Sequence, residues 1–122
     1  MAKEMGLYSK VGGHHVHMQA AFKSAASHDG RKGVTIRQRF LDSMGWGHKL
    51  MTKYQRNAYV NLAKKGINPS MRDHNRIAVA SLMKAGVPEK YALMMTAASL
   101  RNLREEGVNN PKKNNNPWNN KD

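Results

Sequence analysis

The run Gly12-Gly13-His14-His15-Val16-His17 places three of the chain's six histidines within four residues, directly after two glycines, in a sequence that has no cysteine. Its glycine-led, partly β-branched start reads as a short strand or loop, and the alanine-rich continuation from Met18 to Ala26 reads as a helix. In a regular strand His14 and His15 face opposite sides while His15 and His17 share one. A strand end or bulge beside Gly12-Gly13 instead brings sequence neighbours to one place. Imidazole is the side chain that both ligates a divalent metal and accepts a proton near neutral pH. The cluster is therefore the point from which fold and chemistry are read outward.

Downstream, three segments open on a hydroxyl followed three residues later by a side chain able to reach back: Thr35 with Gln38, Thr52 with Gln55, and Ser70 with Asp73. The helices they begin are expected to close on Gly45, Gly66 and Gly86, the residue type that accepts the left-handed conformation after a helix. Apolar residues recur between these marks at Ile36, Phe40 and Met44, at Tyr54, Ala58 and Leu62, and at Ile77, Ser81 or Leu82, and Ala85. A further helix starts at Pro88 and runs through Leu93, Ala97, Leu100 and Leu103 to Gly107. The segment His28-Asp29-Gly30-Arg31-Lys32-Gly33 reads as an exposed turn. The tail 108–122, rich in Asn, Lys and Pro, carries too little apolar surface to offset the entropy of ordering and is expected to be disordered. The fold class is mainly α, with an α+β element at the histidines, in one domain spanning 1–107.

Lys plus Arg total 21 against 8 Asp plus Glu, a formal charge of +13 on 122 residues. Such a surface attracts a polyanion, and nucleic acid is the commonest, because each phosphate neutralised releases condensed counterions. Arg31, Lys32, Arg37, Arg39, Lys49, Lys53 and Arg56 fall in one stretch and are of the kind that grips the phosphate backbone without reading bases. No apolar run is long enough to cross a bilayer, and 1–10 lacks the apolar centre of a secretory signal. The absence of cysteine excludes disulfides, thiol nucleophiles and thiolate zinc sites.

Phosphodiester cleavage requires an activated water, stabilisation of charge on the phosphoryl oxygens and help for the departing alkoxide. One imidazole and one divalent ion supply these. Carboxylate-built two-metal sites are disfavoured, because apart from the termini the acids are Asp29, Asp42, Asp73, Glu89, Glu105 and Glu106, with Asp73 committed to a helix cap. Trp46 reads as a core anchor and the nine methionines as adaptable core filling. Tyr54 and Tyr59 are of a type that can stack on unpaired bases.

Gly13-His14-His15, continuing into Val16-His17-Met18-Gln19-Ala20-Ala21-Phe22, resembles the signature of the GHH group of HNH/endonuclease VII toxin nucleases, His-Me finger domains at the C-termini of bacterial polymorphic toxins. The resemblance extends through Trp46 and His48, Met51-Thr52, His74 to Val79, and Ser99-Leu100-Arg101-Asn102-Leu103-Arg104. It implies a small strand-and-helix His-Me finger packed in a bundle of about four to five helices. It also implies a metal-dependent DNA endonuclease in which His14 is a metal ligand and His15 the general base, with His17 kept in the site. A following helix is expected to bring a further ligand, His74 first and His48 second. This sequence departs from the usual spacing, because His74 and Asn75 are adjacent. The metal is expected to be Mg, Mn or Zn, and Arg31, Lys32, Arg37, Lys49, Lys53 and Arg56 to hold DNA.

The resemblance further implies a toxin domain carried by a larger delivery protein N-terminal to it and delivered by a bacterial secretion system. Such a domain acts in the target-cell cytoplasm and is neutralised by a cognate immunity protein, for which an acidic surface would suit so basic a toxin. The competing readings are a non-catalytic helical nucleic-acid-binding protein and, less supported by any distinctive amphipathic segment, a membrane-active toxin.

Overall fold

The computed structural model describes residues 4–7, 12–17 and 34–105. The expected helix from Met18 to Ala26, the turn holding Arg31 and Lys32, and the tail 108–122 lie outside the described residues.

Three short strands form one antiparallel sheet: β1 (Met5–Leu7), β2 (His14–His15) and β3 (Val34–Ile36), in the order β1-β3-β2. Central β3 reads Val34-Thr35-Ile36, all β-branched, which suits a pleated, buried position. Its register places Met5 and His14 on either side of Ile36, and Gly6 and His15 on either side of Thr35. Thr35 is thus a strand residue and not the cap of a helix; its hydroxyl donates to the Gly6 carbonyl at 3.2 Å.

Four helices follow: α1 (Gln38–Met44), α2 (His48–Lys64), α3 (Met71–Lys84) and α4 (Glu89–Glu105). Only the third expected capping signature operates as read. The Ser70 hydroxyl accepts from Asp73 N–H while the Asp73 carboxylate accepts from Ser70 N–H, a complete capping box. Helix α1 begins after Arg37 with no side-chain cap. Helix α2 begins after Gly47, four positions before Thr52, which is therefore interior. The glycine ends hold: Gly45 (φ 72°) caps α1, and Gly66 and Gly86 follow α2 and α3 with positive φ. Helix α4 begins one residue after Pro88, whose carbonyl accepts from Ala92 N–H.

The main core lies between the sheet and the helices, built on Val16, Ile36, Leu41, Trp46, Met51, Leu82 and Met95. A smaller cluster of Tyr59, Ile77 and Leu103 closes the far end. Helix α3 packs against both α2 and α4, and α4 packs on β3. Trp46 is a core anchor as expected, whereas Met44, Met83, Leu93 and Met94 face outward. The buried face of α2 is Met51, Gln55 and Tyr59, and that of α4 is Ala92, Met95, Thr96, Ser99 and Leu103. The α2 face differs from the Tyr54, Ala58 and Leu62 stripe that apolar periodicity marks, and the α4 face shares only Leu103 with the expected one, because polar residues occupy part of each.

Gly13 sets the entry to β2. Its φ is +92°, and a Cβ built there would lie 2.0 Å from the Ile36 carbonyl oxygen. The neighbour is backbone at the junction of β3 and α1, so it has no side-chain freedom with which to yield. Gly13→Ala is expected to lower stability by about 2–5 kcal/mol through backbone strain and overpacking. The urea unfolding midpoint checks this, and an unchanged midpoint would contradict the close approach.

Candidate metal and phosphate site

The segment 12–17 runs beside α2 in the same direction. The His14 ring meets His48 at the start of α2 in an edge-on contact, with centroids 4.8 Å apart. The Val16 carbonyl accepts from Gln55 Nε2 at 3.2 Å, two turns further on. Val16 N–H donates to the Val34 carbonyl, which extends the β2–β3 ladder by one bond. His17 is passed to the other helices: its Nε2 lies 2.8 Å from Asn75 Oδ1 on α3, and its Nδ1 2.6 Å from Ser99 Oγ on α4. The four residues from His14 to His17 are therefore gripped by α2, β3, α3 and α4 together.

This path separates histidines that the sequence placed in one site. His74 is buried in the first turns of α3, with its Nδ1 hydrogen-bonded to the Tyr59 hydroxyl at 2.6 Å. Tyr59 stands about three turns, roughly 16 Å, beyond His48 along α2. His74 thus belongs with Tyr59 and His17, and the helix-borne histidine that meets His14 is His48. Tyr59 is also withdrawn from any role as a stacking platform, being buried.

Burial governs the chemistry of each ring. His14 is 3 % exposed, and its pKa falls from 6.5 to about 3, first through desolvation and then through the neighbouring His48 and His15. It is neutral at any physiological pH, with its lone pair available. His17 falls to about 4, again mainly through burial and against the hydrogen bond its ring makes to Asn75. Asn75 Oδ1 can only accept, so His17 Nε2–H donates, and the bare Nδ1 accepts from the Ser99 hydroxyl. Both ring nitrogens of His17 are thus engaged by side chains of α3 and α4. His74 falls to about 4 through burial and His17, partly opposed by Asp73. His15 is half-buried and pairs with Thr35 in the ladder.

His14 Nε2 and His48 Nδ1 are both buried, and neither has a hydrogen-bond partner among the described residues. Edge-on ring packing accounts for the contact but leaves two polar atoms unsatisfied, at about 1–3 kcal/mol each. Imidazole nitrogens are common ligands of divalent cations, which satisfy such atoms where both face one ion. Two imidazoles bound to one cation through nitrogens at about 2.0–2.1 Å hold their centroids roughly 4.5–5.2 Å apart for angles of about 90–109°, and the observed 4.8 Å lies inside that window. Among the described residues no set of three His, Asp or Glu side chains gathers to hold a metal. A cation held by this pair would keep the remaining positions open, as catalytic rather than structural sites do.

Beside His48, a groove of about 300 Å³ is lined by His48, Lys49, Thr52, Lys53 and Arg56, which share one face of α2. The spacing of these residues along the helix brings two lysines, one arginine and the candidate ligand to one surface. Arg37 is not among them: it is the residue before α1, with its Nε 3.5 Å from a carboxylate oxygen of Glu4. No helix among the described residues is long and apolar enough to cross a membrane.

Comparison with protein-family models, curated proteins and solved structures finds no match to the chain. Sequence reasoning passes over residues that fix the site and its surroundings through distant partners. Gln55 reads only as a helix-start signal, Ser99 only as part of a longer motif, and Glu4 not at all. Their partners lie 39, 82 and 33 positions away respectively, a separation that carries no local pattern.

Proposed function

We propose that the chain is a divalent-metal-dependent DNA endonuclease of the His-Me finger type, with little sequence preference. The observation that carries this reading is the meeting of buried His14 with half-buried His48, each with one buried ring nitrogen that has no partner among the described residues, beside half-buried His15 and a groove lined by Lys49, Lys53 and Arg56. The order of elements supports it as well: the histidine pair lies on a strand, a second antiparallel strand follows, and the next helices bring His48 back onto His14.

In this reading Lys49, Lys53 and Arg56 hold the phosphate backbone along the groove, and Thr52 offers a hydroxyl to a phosphate oxygen. His14 and His48 would hold the cation, which supplies charge stabilisation at the phosphoryl and leaving oxygens. His15 takes a proton from water as the water oxygen bonds to phosphorus and the bond to the leaving alkoxide breaks. His15 is the base that the family resemblance implies, it is half-buried, and His14, with a pKa of about 3, is too weak a base at neutral pH. Zn or Mn suits a pair of imidazoles better than Mg, which prefers oxygen ligands.

An antibacterial toxin domain, delivered by a larger N-terminal protein into the cytoplasm of a target cell and blocked by an acidic immunity protein, is the biological setting this reading carries with it. A plasmid-nicking assay tests the activity. Purified protein is expected to convert supercoiled to nicked DNA with added Zn, Mn or Mg and to stop when chelator is added. DNA left intact with all three metals would favour a non-catalytic nucleic-acid-binding protein.

The groove makes a separate prediction. Lys49→Ala, Lys53→Ala and Arg56→Ala should each weaken DNA binding to the same extent on unrelated sequences. Each should also reduce the slope of log K against log salt by about 1. Fluorescence anisotropy across a salt series measures both, and an unchanged slope in all three variants would remove the groove from the interface.

A further inference from the structure

The cluster of His17, Asn75 and Ser99 is a polar assembly inside the protein that the proposed mechanism does not use. Its order, hydroxyl to imidazole to amide at 2.6 and 2.8 Å, is that of a nucleophile, a base and an orienting group. Ser99 is only 3 % exposed, and among the described residues its hydroxyl meets the His17 ring. The contacts of the assembly are with the protein itself.

What it acts on is the segment that carries the site. Strand β2 is two residues long and, among the described residues, pairs with β3 alone, a short ladder by itself. One bond from Val16 N–H to Val34 and one from Gln55 to the Val16 carbonyl add to that ladder. Beyond them, the last anchor before the chain leaves the described region is the His17 ring, pinned from α3 by Asn75 and from α4 by Ser99. His14 and His48 sit on different elements, so their separation depends on how 14–17 is held against α2. From Gly13, pressed on the Ile36 carbonyl, to His17 the segment is clamped at both ends with the candidate ligand between.

We infer that His17 is a positioning residue, which through Ser99 and Asn75 locks the 14–17 segment onto α3 and α4 and so holds His14 at ligand distance from His48. The inference rests on the metal-site reading of that pair. Ligand geometry must be held to within a fraction of an ångström for tight binding, and groups outside the ligand shell that hold it are commonly worth 10–100-fold in metal affinity.

The test is zinc binding by isothermal titration calorimetry, at a temperature well below the thermal transition of every protein compared. Ser99→Ala leaves His17 in place but removes the hydroxyl its Nδ1 accepts from. It is expected to weaken zinc binding by about 10-fold or more, with circular dichroism unchanged. Ser99→Thr, which keeps a hydroxyl, should restore affinity to within about 3-fold of wild type, the span expected when the bond is kept. Asn75→Ala, breaking the other bond, should weaken binding in the same sense. A role confined to overall stability would lower the melting temperature of Ser99→Ala but leave its zinc affinity at the wild-type value, and that result overturns the inference. Should wild-type protein bind no zinc, or His14→Ala bind it as wild type does, the metal-site reading fails and takes the inference with it. The His14→Ala control thereby separates the two failures.

Discussion

His15→Ala protein is expected to keep its helical spectrum, its zinc affinity and most of its DNA affinity while losing plasmid cleavage by about 10²–10⁴-fold, the usual worth of a positioned general base. The expectation follows from the surroundings of each ring at the front of the chain. His14 and His17 are buried among protein groups, the first against His48 and the second between Asn75 and Ser99. His15, next to His14 and close enough to act on its ring, is half-buried and so retains access to solvent. Removing it takes away no groove cation, so the salt dependence of DNA binding should not move. Retained cleavage would reassign the base. Loss of cleavage together with loss of zinc binding would make His15 a ligand instead.

The second large effect is on acid stability. His17 and His74 lie together in the interior with pKa values of about 4, against 6.5 for an exposed imidazole. The groups that face them are Asn75 and Ser99 for His17, and Tyr59, Asp73 and His17 itself for His74. Between pH 6.5 and 4 the unfolded chain binds more protons at these two positions than the folded one. Stability is therefore full above pH 6.5 and falls as the pH drops through that window, by up to about 1.4 kcal/mol per pH unit for each histidine. Domains of this size commonly hold only about 5–15 kcal/mol, so much of the total would be spent before most carboxylates titrate. Urea unfolding of metal-free protein from pH 7.5 to 4.5 measures the slope. A midpoint that stays flat to pH 4.5 would mean that the two rings are not buried as described.

Much of the helical scaffold was legible in the sequence, for identifiable physical reasons. Ser70 and Asp73 close a capping box by contacts within one turn, and Gly45 takes a left-handed conformation that few other residues accept. Such signals are local and survive whatever the tertiary structure does. The same hydroxyl-to-amide pattern misled at Thr35, because the strand pairing of Val34–Ile36 with both neighbours outweighs a single cap. At Thr52 it misled because Met51, fully buried, is already needed inside a helix that begins at His48. Strand β1 left no signal of its own: three residues of 4–7 acquire a strand conformation only through β3.

For the candidate site, residue types were easier to read than partners. The pairing of a front histidine with one from a distant helix was expected, but His74 was preferred to His48. No spacing rule reveals that His74 faces Tyr59 or that Gln55 reaches back to Val16. Gln55, His74, Thr96 and Ser99 are buried polar residues on helix faces that a hydrophobic period treats as solvent-facing. Only the fold pairs them, and the catalytic reading of His17 is the one such pairing changes most, because its two ring nitrogens are satisfied from α3 and α4.

The central claim is that His14 and His48 share one divalent cation. Protein labelled with ¹⁵N in its imidazoles, followed by NMR as zinc is added, tests it directly. The account predicts that His14 Nε2 and His48 Nδ1 shift together to the range of metal-bound nitrogens at one equivalent, while the His17 and His74 resonances hold their positions. Shifts confined to His17 or His74, or none at any of the four rings, would contradict it.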